Sequence, residues 1–246
     1  MSCALLKDTQ EYESSASLAG EESAKLYLDI ADGLHAMAQP LTVLLGTLGN
    51  MKLRDRTEHD HRQCLDMSTR QVDHMCGLLS SLRDIVDARL FEAKRSRIDL
   101  WETLVPIVED HLAAHQGSGV EIKMVKPDHS VFVFGDPERT SQAFAAVLKV
   151  TASVSSPGDA IQALFQKRNG YLELIVQSEA NHGKQLGSSD RLSLSSAAAN
   201  IQSQQGRYEC VESPLRILMS LPSTETVPGE IGDCSTLVAS EIFASG

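Results

Sequence analysis

The sequence predicts an α+β fold, a long helical hairpin followed by helices layered on hairpin-linked strands, and three observations carry that prediction. Apolar residues first recur every three or four positions along two stretches parted by one short polar segment. Beyond residue 95 short runs of strand-forming residues take over, interleaved with further helical patterns. Those runs neighbour one another instead of alternating strictly with helices, which argues against a doubly wound parallel sheet.

Residues 1–20, dominated by Ser, Glu and Gly, read as a flexible lead-in. From Glu21 the register is helical: Leu26, Ile30, Leu34, Met37, Leu41, Leu44, Leu48 and Met51 draw one stripe down a helix roughly 50 Å long at 1.5 Å per residue. The polar run KLRDRTEHDH reads as the turn, and a second stripe follows through Leu65, Val72, Met75, Leu79, Leu82, Val86 and Leu90. Two helices with one apolar face each cannot enclose a core between them. The hairpin, residues 21–94, is therefore expected to pair with a second copy as a homodimeric four-helix bundle.

Residues 95–222 form a second domain. DLWETLVPIVEDHLAAHQ predicts a helix divided or kinked at Pro106, GVEIKMV and SVFVFGD predict strands, and DPERTSQAFAAVLKVTASV predicts a helix. AIQALFQ and YLELIVQS are strands, residues 190–204 a helix ending at Gly206, and RYECV and LRILMSLP two closing strands. Residues 223–246 read as a loose tail.

The formal net charge of -11 argues against nucleic acid as main partner, because binding a polyanion requires a Lys/Arg surface. No signal peptide and no 18-residue apolar stretch is found, so no membrane contact and a cytoplasmic location are expected. Cys3, Cys64, Cys76, Cys210 and Cys234 are odd in number and lack Cys-x2-Cys spacing, which fits reduced thiols. His59 and His61 flank an acid in EHDH but have no third ligand in a fitting pattern, and they are assigned to a solvated turn, with no metal site.

The run DGLHAMAQPLTVLLG stands out. A proline inside a helix forfeits a backbone hydrogen bond and costs roughly 3 kcal/mol, so Pro40, five residues after His35, marks a distortion the chain keeps beside an imidazole. The alternative is a simple kink around the core with His35 a solvated neighbour.

LHAMAQPL, with His35, Pro40 and Leu41, resembles the H box of bacterial sensor histidine kinases. FGDPERTSQAFAAVL resembles their Gly-Asp-x-x-Arg-x-x-Gln segment, and QQGRYECVES, with Gly206, Arg207, Val211, Glu212 and Ser213, their Gly-Gly-Arg-x-x-Val-Glu-Ser. MSLP resembles their closing Leu-Pro, so the resemblance runs from about residue 26 to 222, in the family's order. It implies a dimerisation and phosphotransfer hairpin followed by an ATPase-like α/β sandwich.

The departures imply that this second domain is degenerate. Two asparagines, one a Mg²⁺ ligand, would stand at Ala146 and Val150, and a hydrocarbon offers a hard ion no oxygen. The family's Asp-x-Gly-x-Gly adenine motif falls on Ser178, Ala180 and His182, and its last glycine box becomes SDRLSL, with Arg191 and Ser193 where glycines belong. Ala36 replaces the acid that follows the phosphorylated histidine. No cofactor is then expected on this chain.

Transfer between His35 and a receiver aspartate asks less, since the response regulator brings its own Mg²⁺ and acidic pocket. The resemblance thus implies a histidine phosphotransferase without autokinase activity. Gln39 stands where the family orients a water for dephosphorylation, although an ordinary polar surface residue is the preferred reading. Pro40, Thr42, Gly46 and Thr47 would contribute to partner choice. Receivers are the expected partners, with a sensor or hybrid kinase a further one; a non-catalytic pseudokinase scaffold and a receiver phosphatase are the competing readings.

Overall fold

The computed structural model describes the backbone of residues 4–52, 57–115, 119–128, 131–178 and 185–224, and side chains from residue 24 onward except residue 25. Two long helices come first, α1 (Ala4–Met51) and α2 (Glu58–Leu90), packed side by side. They are followed by β1 (Ser96–Asp99), α3 (Leu100–Ala114), β2 (Glu121–Met124), β3 (Phe132–Gly135), α4 (Pro137–Val154), β4 (Ala160–Arg168), β5 (Tyr171–Ser178), α5 (Ser188–Gln202), β6 (Arg207–Glu212) and β7 (Leu215–Pro222). The α+β class and the six expected strands are present.

Three local expectations need correction. Residues 4–20, expected as a flexible lead-in, are helical, because the run to Ser17 holds no Gly or Pro and extends a helix already nucleated behind it. The turn is shorter than KLRDRTEHDH suggests: Thr57 caps α2, accepting from the Asp60 N–H at 3.2 Å while Asp60 Oδ2 accepts from the Thr57 N–H at 3.0 Å. His59 and His61 therefore lie in the first turn of α2. Strand β1 is an addition, formed because Ser96–Asp99 pairs antiparallel with β3.

The main sheet has the order β2-β4-β5-β7-β6, with β2 parallel to β4 and every other pair antiparallel. Leu104, Phe144, Val147, Leu148, Ile161 and Ile217 are fully enclosed in one cluster where α3, α4 and α5 meet this sheet. Gly206 lets the chain turn from α5 into β6, since a Cβ there would lie 2.6 Å from the Ser220 carbonyl oxygen.

Asp136 and Arg139, from the Gly-Asp-x-x-Arg segment, hold the two halves together. Asp136 caps α4 through its Oδ1, accepts the Lys94 N–H on Oδ2 at 2.7 Å, and donates its own N–H to Gln204 Oε1 at 2.6 Å. The Arg139 guanidinium donates to the Phe91 carbonyl at 2.7 Å, to the Asp87 carbonyl at 3.4 Å and to Ser203 Oγ at 2.7 Å. The Asp87 carbonyl already accepts the Phe91 N–H at 3.0 Å, so Arg139 adds a second donor there and supplies one to the Phe91 carbonyl just past the helix end.

Arg139→Ala is expected to destabilise the chain by about 2–3 kcal/mol, lowering the melting temperature by roughly 5–10 °C. Arg139→Lys, a point donor unable to fork across several acceptors, should recover less than half of that. Calorimetric melts check both, and an Arg139→Ala transition within a degree of wild type would refute the clasp.

Candidate functional site

The site is built on α1, whose sides have three different environments. At 3.6 residues per turn His35, Gln39, Thr42 and Gly46 fall within a sector of about 60°, and all four are exposed. Leu28, one heptad above His35 and also exposed, extends this face. Gly46 has open space around it, and the Thr42 hydroxyl donates to the Ala38 carbonyl at 2.8 Å, leaving its methyl group outward. His35 is therefore exposed on a face that continues through Gln39 to the small residues Thr42 and Gly46.

About 100° around the helix lies a second exposed row: Tyr27, Leu34, Leu41 and Leu48 at strict seven-residue spacing, joined by Leu45. Leu65, Val72 and Leu79 repeat the same spacing, exposed, on α2. The single apolar stripe read from the sequence is thus two, one turned inward and one outward.

The third face is buried and carries Gly33, Ala36, Pro40 and Thr47. Two expectations change here. Thr47 does not share the outward face: it is buried against α2, its hydroxyl donating to the Val43 carbonyl at 2.8 Å and touching Met67 Sδ at 3.4 Å. Pro40 likewise lies inward, within an α1 that continues through it. At Gly33 a Cβ would come 2.5 Å from a Leu82 methyl carbon, so this glycine sets the close approach of α1 and α2 just above the histidine.

Ala36, directly after His35, belongs to a small core with Leu78 and Ile85 of α2 and Leu192 of α5, lined by Leu26, Met37, Leu82 and Ala199. The layer built on the main sheet is therefore packed beside the histidine-bearing face through α5. Ser196 of α5 donates to Asp84 Oδ2 at 3.3 Å across the same seam. Burial pushes the Asp84 carboxyl above its ordinary value, with Asp87 and Glu138 adding to the rise, opposed by the Ser196 hydrogen bond and Arg83. Sequence reading missed this seam; the small residues Gly33 and Ala36 on one helical face were the available signal.

At the positions that departed from the family pattern, Val150 is 1% exposed within the core cluster and Ala146 packs against it. Ser178 Oγ lies 3.2 Å from Ser155 Oγ. Ala180 and His182 lie outside the described residues. In SDRLSL, Leu192, Ser193 and Leu194 are buried, and Arg191 reaches Glu212 at 3.1 Å. Asp190 Oδ2 accepts the Gly187 N–H at 3.0 Å at the start of α5, and its Oδ1 accepts from Ser153 at 3.2 Å. Among the described residues no cluster of His, Cys, Asp or Glu has the arrangement of a metal site, and no helix is long and apolar enough to cross a membrane.

Ala36→Glu would force a carboxylate into the Leu78–Ile85–Leu192 cluster. The expected outcome is a loss of about 3 kcal/mol and faster amide exchange along α5, whereas Ala36→Ser should stay within about 1 kcal/mol. Hydrogen exchange read by mass spectrometry distinguishes them, and unchanged α5 protection in Ala36→Glu would refute the packing.

Comparison with solved structures gives the fold a precedent. The Acinetobacter baumannii histidine kinase AdeS superposes with a TM-score of 0.62 at 15% identity, covering 77% of this chain and 98% of its own. The cytoplasmic segment of histidine kinase QseC covers 70% of this chain and 98% of its own at 17% identity and a TM-score of 0.43. The mycobacterial sensor histidine kinase MprB covers 52% and 97% at 18% identity and a TM-score of 0.42. No family model and no curated protein sequence matches the chain. From the AdeS superposition, this chain has a fold related to that of histidine kinase catalytic regions.

Proposed function

We propose that this protein is a histidine phosphotransferase of a bacterial two-component phosphorelay, relaying phosphoryl groups between receiver aspartates through His35 without ATP. An imidazole nitrogen of His35 attacks the phosphorus of a receiver aspartyl phosphate, the P–O bond to the aspartate breaks, and the carboxylate leaves. The reverse reaction delivers the group to a second receiver. The observation that carries this reading is the exposed imidazole above the small residues Thr42 and Gly46, on a face open to a docking domain. Holding the reacting atoms in line is most of the catalysis such a transfer requires, and the receiver contributes the Mg²⁺.

The second domain, in this reading, binds no nucleotide. Val150 and Ala146 are hydrocarbon packed into or against the core, so the positions do not fit a Mg²⁺ ligand. The start of α5, where a helix N-terminus would cradle phosphate, already carries the Asp190 carboxylate. A second phosphate-directed anion would meet that charge. The domain acts instead as a wall beside His35, contributing to the choice of receiver.

The homodimer belongs to the same proposal. The seven-spaced rows on α1 and α2 are exposed among the described residues, and pairing with a second hairpin would bury them as a four-helix bundle. The setting is cytoplasmic, with response regulators as partners and a sensor or hybrid histidine kinase as a further one. One observation favours a second reading: Gln39 lies exposed one turn from His35, where its amide could orient a water for receiver dephosphorylation. A non-catalytic scaffold is the third, favoured by the absence of an acid at Ala36.

Incubating the protein without ATP with pre-phosphorylated receivers should place acid-labile phosphate on wild type and none on His35→Ala. If label stays on every receiver across a complete panel, the scaffold reading replaces this one; if it is lost as free phosphate in a Gln39-dependent, His35-independent way, the phosphatase reading does. Leu41→Glu combined with Leu79→Glu should convert a dimer to a monomer in multi-angle light scattering, and an unchanged mass would rule out the bundle.

A further inference from the structure

The two-stranded sheet carries a concentration of positive charge on a chain whose net charge is -11. Lys94, Arg95 and Arg97 fall in or just before β1, and the aromatic rings of Phe132 and Phe134 come from β3. Arg97 and Phe134 are register partners, and residues at alternate positions share a face, so Arg95, Arg97, Phe132 and Phe134 stand on one side with Asp99, whose carboxylate is engaged in capping α3 through the Trp101 and Glu102 N–H groups. The opposite side, Ile98 and Val133, is buried in the core.

The arginines are held in a particular way. The Arg97 guanidinium lies 4.0 Å from the Phe132 ring centroid and that of Arg95 lies 5.6 Å from the Phe134 centroid. A guanidinium resting on a ring engages its flat face and keeps its in-plane N–H groups for a carboxylate. No ion pair to either arginine occurs among the described residues. The patch therefore consists of oriented cations awaiting anions.

The far edge of β3 meets the last described residues. Val133 bridges antiparallel to Ser223, and the Thr224 N–H donates to the Phe132 carbonyl at 3.3 Å. Thr224 is thus on the strand residue whose ring carries Arg97. The sequence that follows, residues 225–246, contains Glu225, Glu230, Asp233 and Glu241 and no Lys or Arg.

We infer that this acidic segment is the occupant of the Arg95/Arg97 face, docking on it in cis. Two strand spacings, about 10 Å, separate the Thr224 position from β1. Glu225 follows Thr224 directly, and Glu230 and Asp233 are within reach of both arginines at about 3.3 Å per extended residue. Exposed ion pairs are individually weak, but a tether of a few residues gives an effective concentration on the order of millimolar, so several weak pairs act together. The contact is electrostatic and is screened by salt over roughly 10 Å at 0.1 M. Docked, the segment withholds this patch from acidic surfaces of other proteins.

Hydrogen exchange of the full chain tests this, with a synthetic peptide of residues 225–246 as the unbound reference. At low salt, amides of residues 225–233 should exchange at least about threefold more slowly in the chain than in the peptide. That protection should vanish in 1 M NaCl and in Arg95→Glu/Arg97→Glu, and return when Glu225→Lys, Glu230→Lys and Asp233→Lys are added. The salt arm uses wild type and does not depend on the variants folding. Exchange equal to the free peptide at low salt would overturn the inference, as would protection indifferent to both salt and charge reversal. Binding of an added poly-glutamate peptide at Arg97 with the segment unprotected would also overturn it, and assign the face to a partner in trans.

Discussion

The Arg139 guanidinium grips the backbone where α2 ends, donating to the Asp87 carbonyl in its last turn and to the Phe91 carbonyl just beyond it. Because the same group reaches Ser203 just beyond α5, and the adjacent Asp136 holds Lys94 and Gln204, one short segment ties α2, α4 and the end of α5 into a single knot. Gln204 is fully buried and uses both ends of its amide, accepting from Asp136 and Thr140 and donating to the Asn200 carbonyl. A buried network of this kind is stable only when complete. The placement of α5 against the hairpin rests on it.

From that anchor the rest of the arrangement follows. With α5 fixed at its C-terminal end, its Leu192, Ser196 and Ala199 lie along α2 and reach Ala36 of α1. The helix bearing His35 is consequently divided into a face held by its own chain, a face of unsatisfied hydrophobic rows, and a polar face that holds the imidazole. Each offers a different force: packing, which α2 and α5 already use, and, in the proposed reading, apolar association on the second face and hydrogen bonding to a docked receiver on the third. Keeping them about 100° or more apart allows one 3.6-residue helix to serve all three.

Much of this was legible in the sequence, for reasons that can be named. The two helices and six of the seven strands announced themselves by period, and the bounded apolar runs AIQALFQ and YLELIVQS gave adjacent strands β4 and β5 in register. The candidate histidine was found from its spacing to Pro40. What the sequence withheld was orientation: Leu34 and Ala36 belong to the same apolar segment, yet one faces outward and the other a domain contributed by residues more than a hundred positions away. Thr47 was misplaced on the outward face for the same reason. Strand β1 escaped notice because SRID has little alternation and becomes a strand only through its pairing with β3.

Ala36 is constrained by its surroundings. In most helices a surface alanine can become glutamate in one step at little loss, but here the side chain points into a seam shared by three helices. A carboxylate beside His35 would require Leu192, Leu78 and Ile85 to give way together, and with them the docking of α5. Such linked changes are rarely made in sequence, since each intermediate is less stable than either end. The same contacts that hold α5 beside His35 thus leave the next position room for a methyl group and oppose a carboxylate there.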